Sequence, residues 1–148
     1  MIKKSLAALF VMLFAFSFGT MAFASENSDV EKGLQIIDEA NKQIDSLIAE
    51  TVAKGDELKA AHDENTAALT ADTVLTENQK AEKIAAENTS YNAALDELIS
   101  TLQDKAIELT NAGIEKAAVY GIEAVCQWKL VKIADREVWV DPIQVIGF

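Results

Sequence analysis

The sequence predicts a mainly α fold: a long antiparallel two-helix hairpin, coiled-coil-like, followed by a small C-terminal β-hairpin. Three observations carry that expectation. Residues 29–69 and 77–120 place apolar or seam side chains at alternating spacings of three and four. Residues 70–75, between them, lose that spacing. After Gly121 the chain turns to β-branched and aromatic residues in runs too short for helices.

The N-terminus is set apart by composition. Lys3 and Lys4 precede an apolar run from Leu6 to Phe18, and Ala22-Phe23-Ala24 has the A-x-A form of a cleavage site. A positive flank, a short apolar core and a small-residue exit are the parts of a secretory signal peptide. Residues 1–24 are therefore expected to direct export and to be removed near Ala24. The longer stretch from Leu6 to Ala24 is marginal for a membrane span of about 20 residues, and no second apolar stretch of spanning length occurs, so no stable span is expected after cleavage. The full chain has 148 residues and a net charge of −11. Residues 25–148 carry 11 basic and 24 acidic side chains, a net of −13. Such a chain repels phosphate, which argues against a nucleic-acid partner. The expected organisation is a signal peptide (1–24), a helical hairpin (25–121) and a C-terminal β-hairpin unit (122–148). The expected location is the periplasm or the cell exterior.

The first helical stripe reads Val30, Leu34, Ile37, Asn41, Ile44, Ile48, Thr51, Gly55, Leu58, His62, Asn65, Leu69. It is mostly apolar at first and polar later, so the seam weakens toward the far end. Ser28 with Glu31 has the form of a capping box. Asp38 with Lys42 and Glu50 with Lys54 are i,i+4 pairs in the favoured acid-first order. Thr76 with Gln79 is a second capping box and opens the second helix. Its stripe reads Ala81, Ile84, Asn88, Tyr91, Leu95, Leu98, Leu102, Lys105, Leu109, Ala112. Asn41 and Asn88 are the polar seam residues that set register between helices. Gly113 is a potential interruption, and Gly121 is expected to end the helix.

The C-terminal pattern predicts one strand over residues 125–133, a turn at Asp135-Arg136, and a second strand that is interrupted at Pro142, which lacks a donor, or lies on an edge there. That register puts Cys126, Trp128, Leu130, Lys132, Trp139, Asp141 and Ile143 on one face, with Lys132 opposite Trp139. A two-stranded hairpin alone is marginal in water, so this one must pack on the helices, on a second copy or on a partner. One reading makes the C-terminal aromatics the cover of the helical hairpin's end and its core. The other makes them an interaction face, for which Trp128, Leu130, Trp139, Ile143 and Phe148 are the candidate contacts.

No catalytic, metal or cofactor site is expected. Phosphate-binding glycine loops and nucleophile elbows do not occur. His62 with Asp63 and Glu64 is a poor metal set, because neighbours one and two residues apart on a helix point in different directions. Cys126 is the sole cysteine, so its choices are burial, an intermolecular disulfide or, with His62 as the only possible base partner, a catalytic role that would need the β unit to fold far back along the helices. The expected function is that of an exported non-enzymatic structural or interaction protein. It would act through self-association or partner binding at the β unit, as a homo-oligomer or with another exported protein. Pairing of two helical hairpins into a four-helix bundle would complete the core. The alternative is a periplasmic or extracellular holdase-type chaperone gripping clients in the apolar seam. The plan resembles periplasmic chaperones and extracellular assembly subunits in shape, without a shared motif.

Overall fold

The computed structural model describes residues 26–148, so the expected signal peptide, residues 1–24, lies outside the described residues. Two long helices come first, α1 (Glu26–Ala71) and α2 (Glu77–Ala118). Four short strands follow: β1 (Glu123–Cys126), β2 (Lys129–Ile133), β3 (Arg136–Val140) and β4 (Ile143–Gly147). The helices pack on each other as an antiparallel hairpin. At 46 residues, α1 is about 70 Å long.

The local signals that shape the helical hairpin act as their chemistry demands. The Thr76 side chain accepts from the Gln79 backbone, and the Gln79 side chain accepts from the Thr76 N–H at 3.0 Å, closing the capping box. In the connection, Asp72 Oδ1 accepts from the N–H groups of Val74 and Leu75 at 2.7 and 3.2 Å, an Asx turn. These bonds hold the Asp72 carboxyl below its ordinary pKa. The Asp38–Lys42 and Glu50–Lys54 pairs form, at 2.6 and 2.8 Å. The α1 helix already includes Glu26, so Ser28 lies within it and is not its cap. Gly113 does not interrupt α2, which runs on to Ala118. The helix is stopped instead at Gly121, whose φ of +80° suits a residue without a side chain. There the N–H of Ile122 bonds to Ala117 O at 3.2 Å and that of Gly121 to Ala118 O at 3.0 Å. This is a Schellman motif, and the accompanying apolar contact is Ile122 with Ala117.

The strands differ from expectation in three ways. First, the run expected as one strand over 125–133 is two strands, split at Gln127-Trp128 opposite Asp141-Pro142. The missing Pro142 N–H breaks the ladder there, and only Gln127 N–H to Pro142 O, at 2.8 Å, bridges the gap. The result is two two-stranded sheets, β1–β4 and β2–β3. They are the two arms of one long hairpin, since a single register runs from Ala124↔Val145 to Ile133↔Arg136.

Second, the turn lies at Ala134-Asp135, not Asp135-Arg136. Ala134 takes a φ of +53°, as a two-residue hairpin turn requires. Arg136 is drawn into the strand because its guanidinium is engaged by Asp96 and, at 2.8 Å, by Asn92 Oδ1 on α2. Lys132 therefore faces Glu137, and Trp139 faces Leu130; the expected Lys132–Trp139 contact is not made. The partner shift is two residues, so Leu130 and Trp139 keep their expected face. Third, the chain changes face at the break, and Asp141 and Ile143 turn inward instead of joining the tryptophans.

The β-hairpin does not cover the end of the helical hairpin. It folds back along its side as a third layer. Val131, Ile133, Val138 and Val140 pack on Ile44, Ile48, Tyr91, Leu95, Leu102 and Ala106. Nearer its base, Ile122 and Ile143 pack on Ile37, Ala40 and Ala117. Small helix residues admit the strands closely. A Cβ on Gly55 would lie 2.7 Å from Ile133 Cγ2, and one on Gly113 would lie 2.6 Å from Ile143 Cδ1. Gly33 makes the same kind of seat for Ile122. The layer thus spans α1 from Gly33 to Gly55, about 33 Å. The chain's own C-terminus thus builds a core along the two helices.

This third layer also moves the buried stripes. Leu34 is partly exposed while Gly33 is buried, and Asn88 lies on the surface rather than in the seam. The later part of α2 buries Ala106, Thr110, Gly113 and Ala117 in place of the expected Lys105, Leu109 and Ala112. A stripe serving both a helix and a sheet must turn toward the groove between them, and small residues let the sheet approach.

Candidate interaction face on the beta hairpin

Strand alternation divides the β2–β3 hairpin into two faces. On the inward side Val131, Ile133, Val138 and Val140 are buried on the helices. The outward ones are Leu130 and Lys132 on β2, and Glu137 and Trp139 on β3. Trp128, two residues before Leu130, joins them. Trp128 and Trp139 are 62% and 54% exposed and line one open pocket. Leu130, 45% exposed, is the direct cross-strand partner of Trp139. The structure thus brings three of the five candidate contacts together. Phe148, 79% exposed, lies at the chain end just beyond β4. Ile143 is 5% exposed and occupied in the core. The aromatics of the C-terminal segment are outside, and branched aliphatic residues do the covering expected of them.

Several polar contacts hold this face in place. Asn41 donates from Nδ2 to Ile143 O at 2.9 Å and accepts from Ile143 N–H at 2.8 Å. It acts as a strand neighbour supplied by a helix, so this seam asparagine positions the sheet rather than the partner helix. Thr110 Oγ donates to the Asp141 carbonyl. Lys129 pairs with Asp45 at 3.3 Å. At the turn, the Tyr91 hydroxyl donates to Asp135 at 3.1 Å. Burial, then the Asp135 bond, raises the Tyr91 pKa above its ordinary value.

His62 and Cys126 are not brought together. His62 stacks on Tyr91 with ring centroids 4.4 Å apart, beside the turn of the hairpin. Its Nδ1 is buried without a hydrogen-bond partner, and Glu87 Oε1 is 3.9 Å away. Cys126 lies at the other arm, exposed, opposite Ile143. Desolvation of its sulfur, the Asp141 charge and a hydrogen bond to that carboxylate raise its pKa, which disfavours the reactive thiolate. Among the described residues, no group of three His, Cys, Asp or Glu side chains is placed to hold a metal ion, and no helix is long and apolar enough to cross a membrane.

Sequence reasoning did not foresee the pairing of Asn41 with Ile143 or the seats at Gly33, Gly55 and Gly113. Glycines within otherwise unbroken helical patterns were the available signal, since such residues mark close backbone approach. No protein family, curated protein or solved structure matches the chain.

Proposed function

We propose that this chain is an exported, non-enzymatic interaction protein acting through self-association or partner binding at its C-terminal β unit. The observation that supports the reading is the solvent-facing cluster of Trp128, Leu130 and Trp139 on a hairpin whose other face is buried. Large apolar side chains grouped on a rigid strand surface are typical of contact sites. The N-terminal pattern of Lys3 and Lys4, an apolar run and Ala22-Phe23-Ala24 supports export. A chaperone gripping clients in the helical seam is less favoured, because the apolar seam around Ile44, Ile48, Leu95 and Leu102 is already filled by the strands.

The test is a photo-cross-linking residue at Lys132, on the outer face but outside the apolar cluster, in cells producing the protein. A discrete adduct is expected. It should disappear in the Trp128→Ser/Trp139→Ser variant while the far-UV circular dichroism of that variant stays native. Absence of any adduct, or an adduct indifferent to the tryptophans, overturns the reading.

A further inference from the structure

We propose that the outer face of the β-hairpin is covered by a second copy of this chain, packed face to face about a two-fold axis. The inference rests on the interaction reading above and names the occupant. Two features of the face point to it.

The first is its extent. Beyond Trp128, Leu130 and Trp139, the same hairpin exposes Val125, Ile146 and Phe148. Together these six side chains leave roughly 600 Å² of apolar surface in water, taking about 200 Å² for an aromatic side chain and somewhat less for the others. A stable interface of ordinary size covers about 800 Å² on each partner. The apolar strip thus supplies most of what one side of a dimer needs, and its polar margin can supply the rest. A two-fold contact presents the same patch from both sides, so each copy's strip would be matched by an equal area. Sheets packed this way lie about 10 Å apart, with interleaved side chains.

The second is charge. The chain carries −11 overall, yet the outer face of β2–β3 holds one Lys and one Glu, Lys132 and Glu137, directly opposite each other. The outer face of β2–β3 is therefore locally balanced on a strongly acidic body. Two copies can meet there with the helices, which carry most of the acids, turned away from one another. A basic partner would be drawn to the helices instead. This gives the dimer a distinct salt response. Screening reduces repulsion between two acidic bodies, so added salt tightens self-association, whereas it loosens the binding of a basic partner.

The chain's two tryptophans both lie on this face, so intrinsic fluorescence reports its burial. The experiment is sedimentation equilibrium of the exported protein from about 1 to about 100 µM, with emission spectra and acrylamide quenching in parallel. The expected result is a doubling of mass with concentration. A blue shift and loss of quenching should follow the same curve. Raising salt from about 20 to about 500 mM should tighten association severalfold. Leu130→Lys keeps both reporters and places a charge at the centre of the face, so it should weaken association at least about tenfold.

A monomer throughout the range overturns the second copy as occupant. So does a dimer with unchanged tryptophan emission, or one that Leu130→Lys leaves intact with a native circular dichroism spectrum. If Leu130→Lys fails to fold, Trp139→Ser serves in its place, with Trp128 as the remaining reporter. The in-cell cross-link separates this inference from the broader reading. An adduct of twice the chain mass supports the dimer, an adduct of another mass overturns the dimer alone, and no adduct overturns both.

Discussion

The two halves of the helical hairpin share a secondary structure and differ in what lies against it. From Gly33 to Gly55 on α1, and from Tyr91 to Ala117 on α2, the helices are backed by strands. Every helix residue of the two buried clusters falls in this half. Beyond Gly55 and before Tyr91 the helices have only each other. No described residue there is fully buried, and the contacts between them include polar ones, such as Asn65 to Glu87 at 3.0 Å. Two helices alone enclose a line of side chains, whereas two helices and a sheet enclose a volume. Stability should therefore concentrate in the covered half, and the far arm should open first.

The largest effect expected from this contrast is on core truncation. Leu102→Ala removes a fully buried side chain beneath the strands and should cost about 3 kcal/mol in urea unfolding. Leu69→Ala, in the bare arm and only half-buried, should cost less than about 1 kcal/mol. Equal losses would break the distinction between the halves.

A smaller effect should come from the join between sheet and helix. Asn41→Ala removes both hydrogen bonds to Ile143 and leaves a buried residue's backbone unpaired, a loss of about 2 kcal/mol. Amide hydrogen exchange should quicken at Ile143 and Val145 more than in the far arm. Unchanged exchange in β4 would show that packing alone seats the strand.

The smallest effect lies at the boundary between the halves, at Tyr91. Tyr91→Phe deletes the hydrogen bond to Asp135 and should cost about 1 kcal/mol at neutral pH. Its pH dependence has a definite sign. The Tyr91 pKa is raised in the folded chain above the ordinary 10.0, so folding favours the neutral phenol. That contribution is present below about pH 10 and is lost as pH rises through the folded value. Thermal melts of the native chain should fall more steeply above about pH 10 than those of Tyr91→Phe. Parallel curves would show that Tyr91 is not coupled to folding.

The parts of this architecture legible in the sequence are those with local causes. The 3–4 spacing marks both helices, the Thr76–Gln79 pair marks where the second begins, and Gly121 marks the exit from it. Pro142 announces the break in the hairpin, because a missing N–H acts wherever the residue sits. The candidate face was legible in part. Alternation alone separated Leu130 and Trp139 from Val131 and Val138, and that separation survives a two-residue shift in pairing. The position of the turn was not legible, because Arg136 is drawn into β3 by Asp96 and Asn92, some 40 residues away in sequence.

Chain periodicity and chain punctuation by themselves determined two long helices, a short connection and a C-terminal hairpin. Only the tertiary structure decided where that hairpin lies. The same strands could have covered the end of the helices or projected beyond it. Their place along the groove comes from distant matches, Ile133 on Gly55, Ile143 on Gly113 and Asn41 to the Ile143 backbone. Such matches leave no periodic trace, since each depends on two segments meeting in space. That placement buries the aliphatic face of the hairpin and turns Trp128 and Trp139 to solvent.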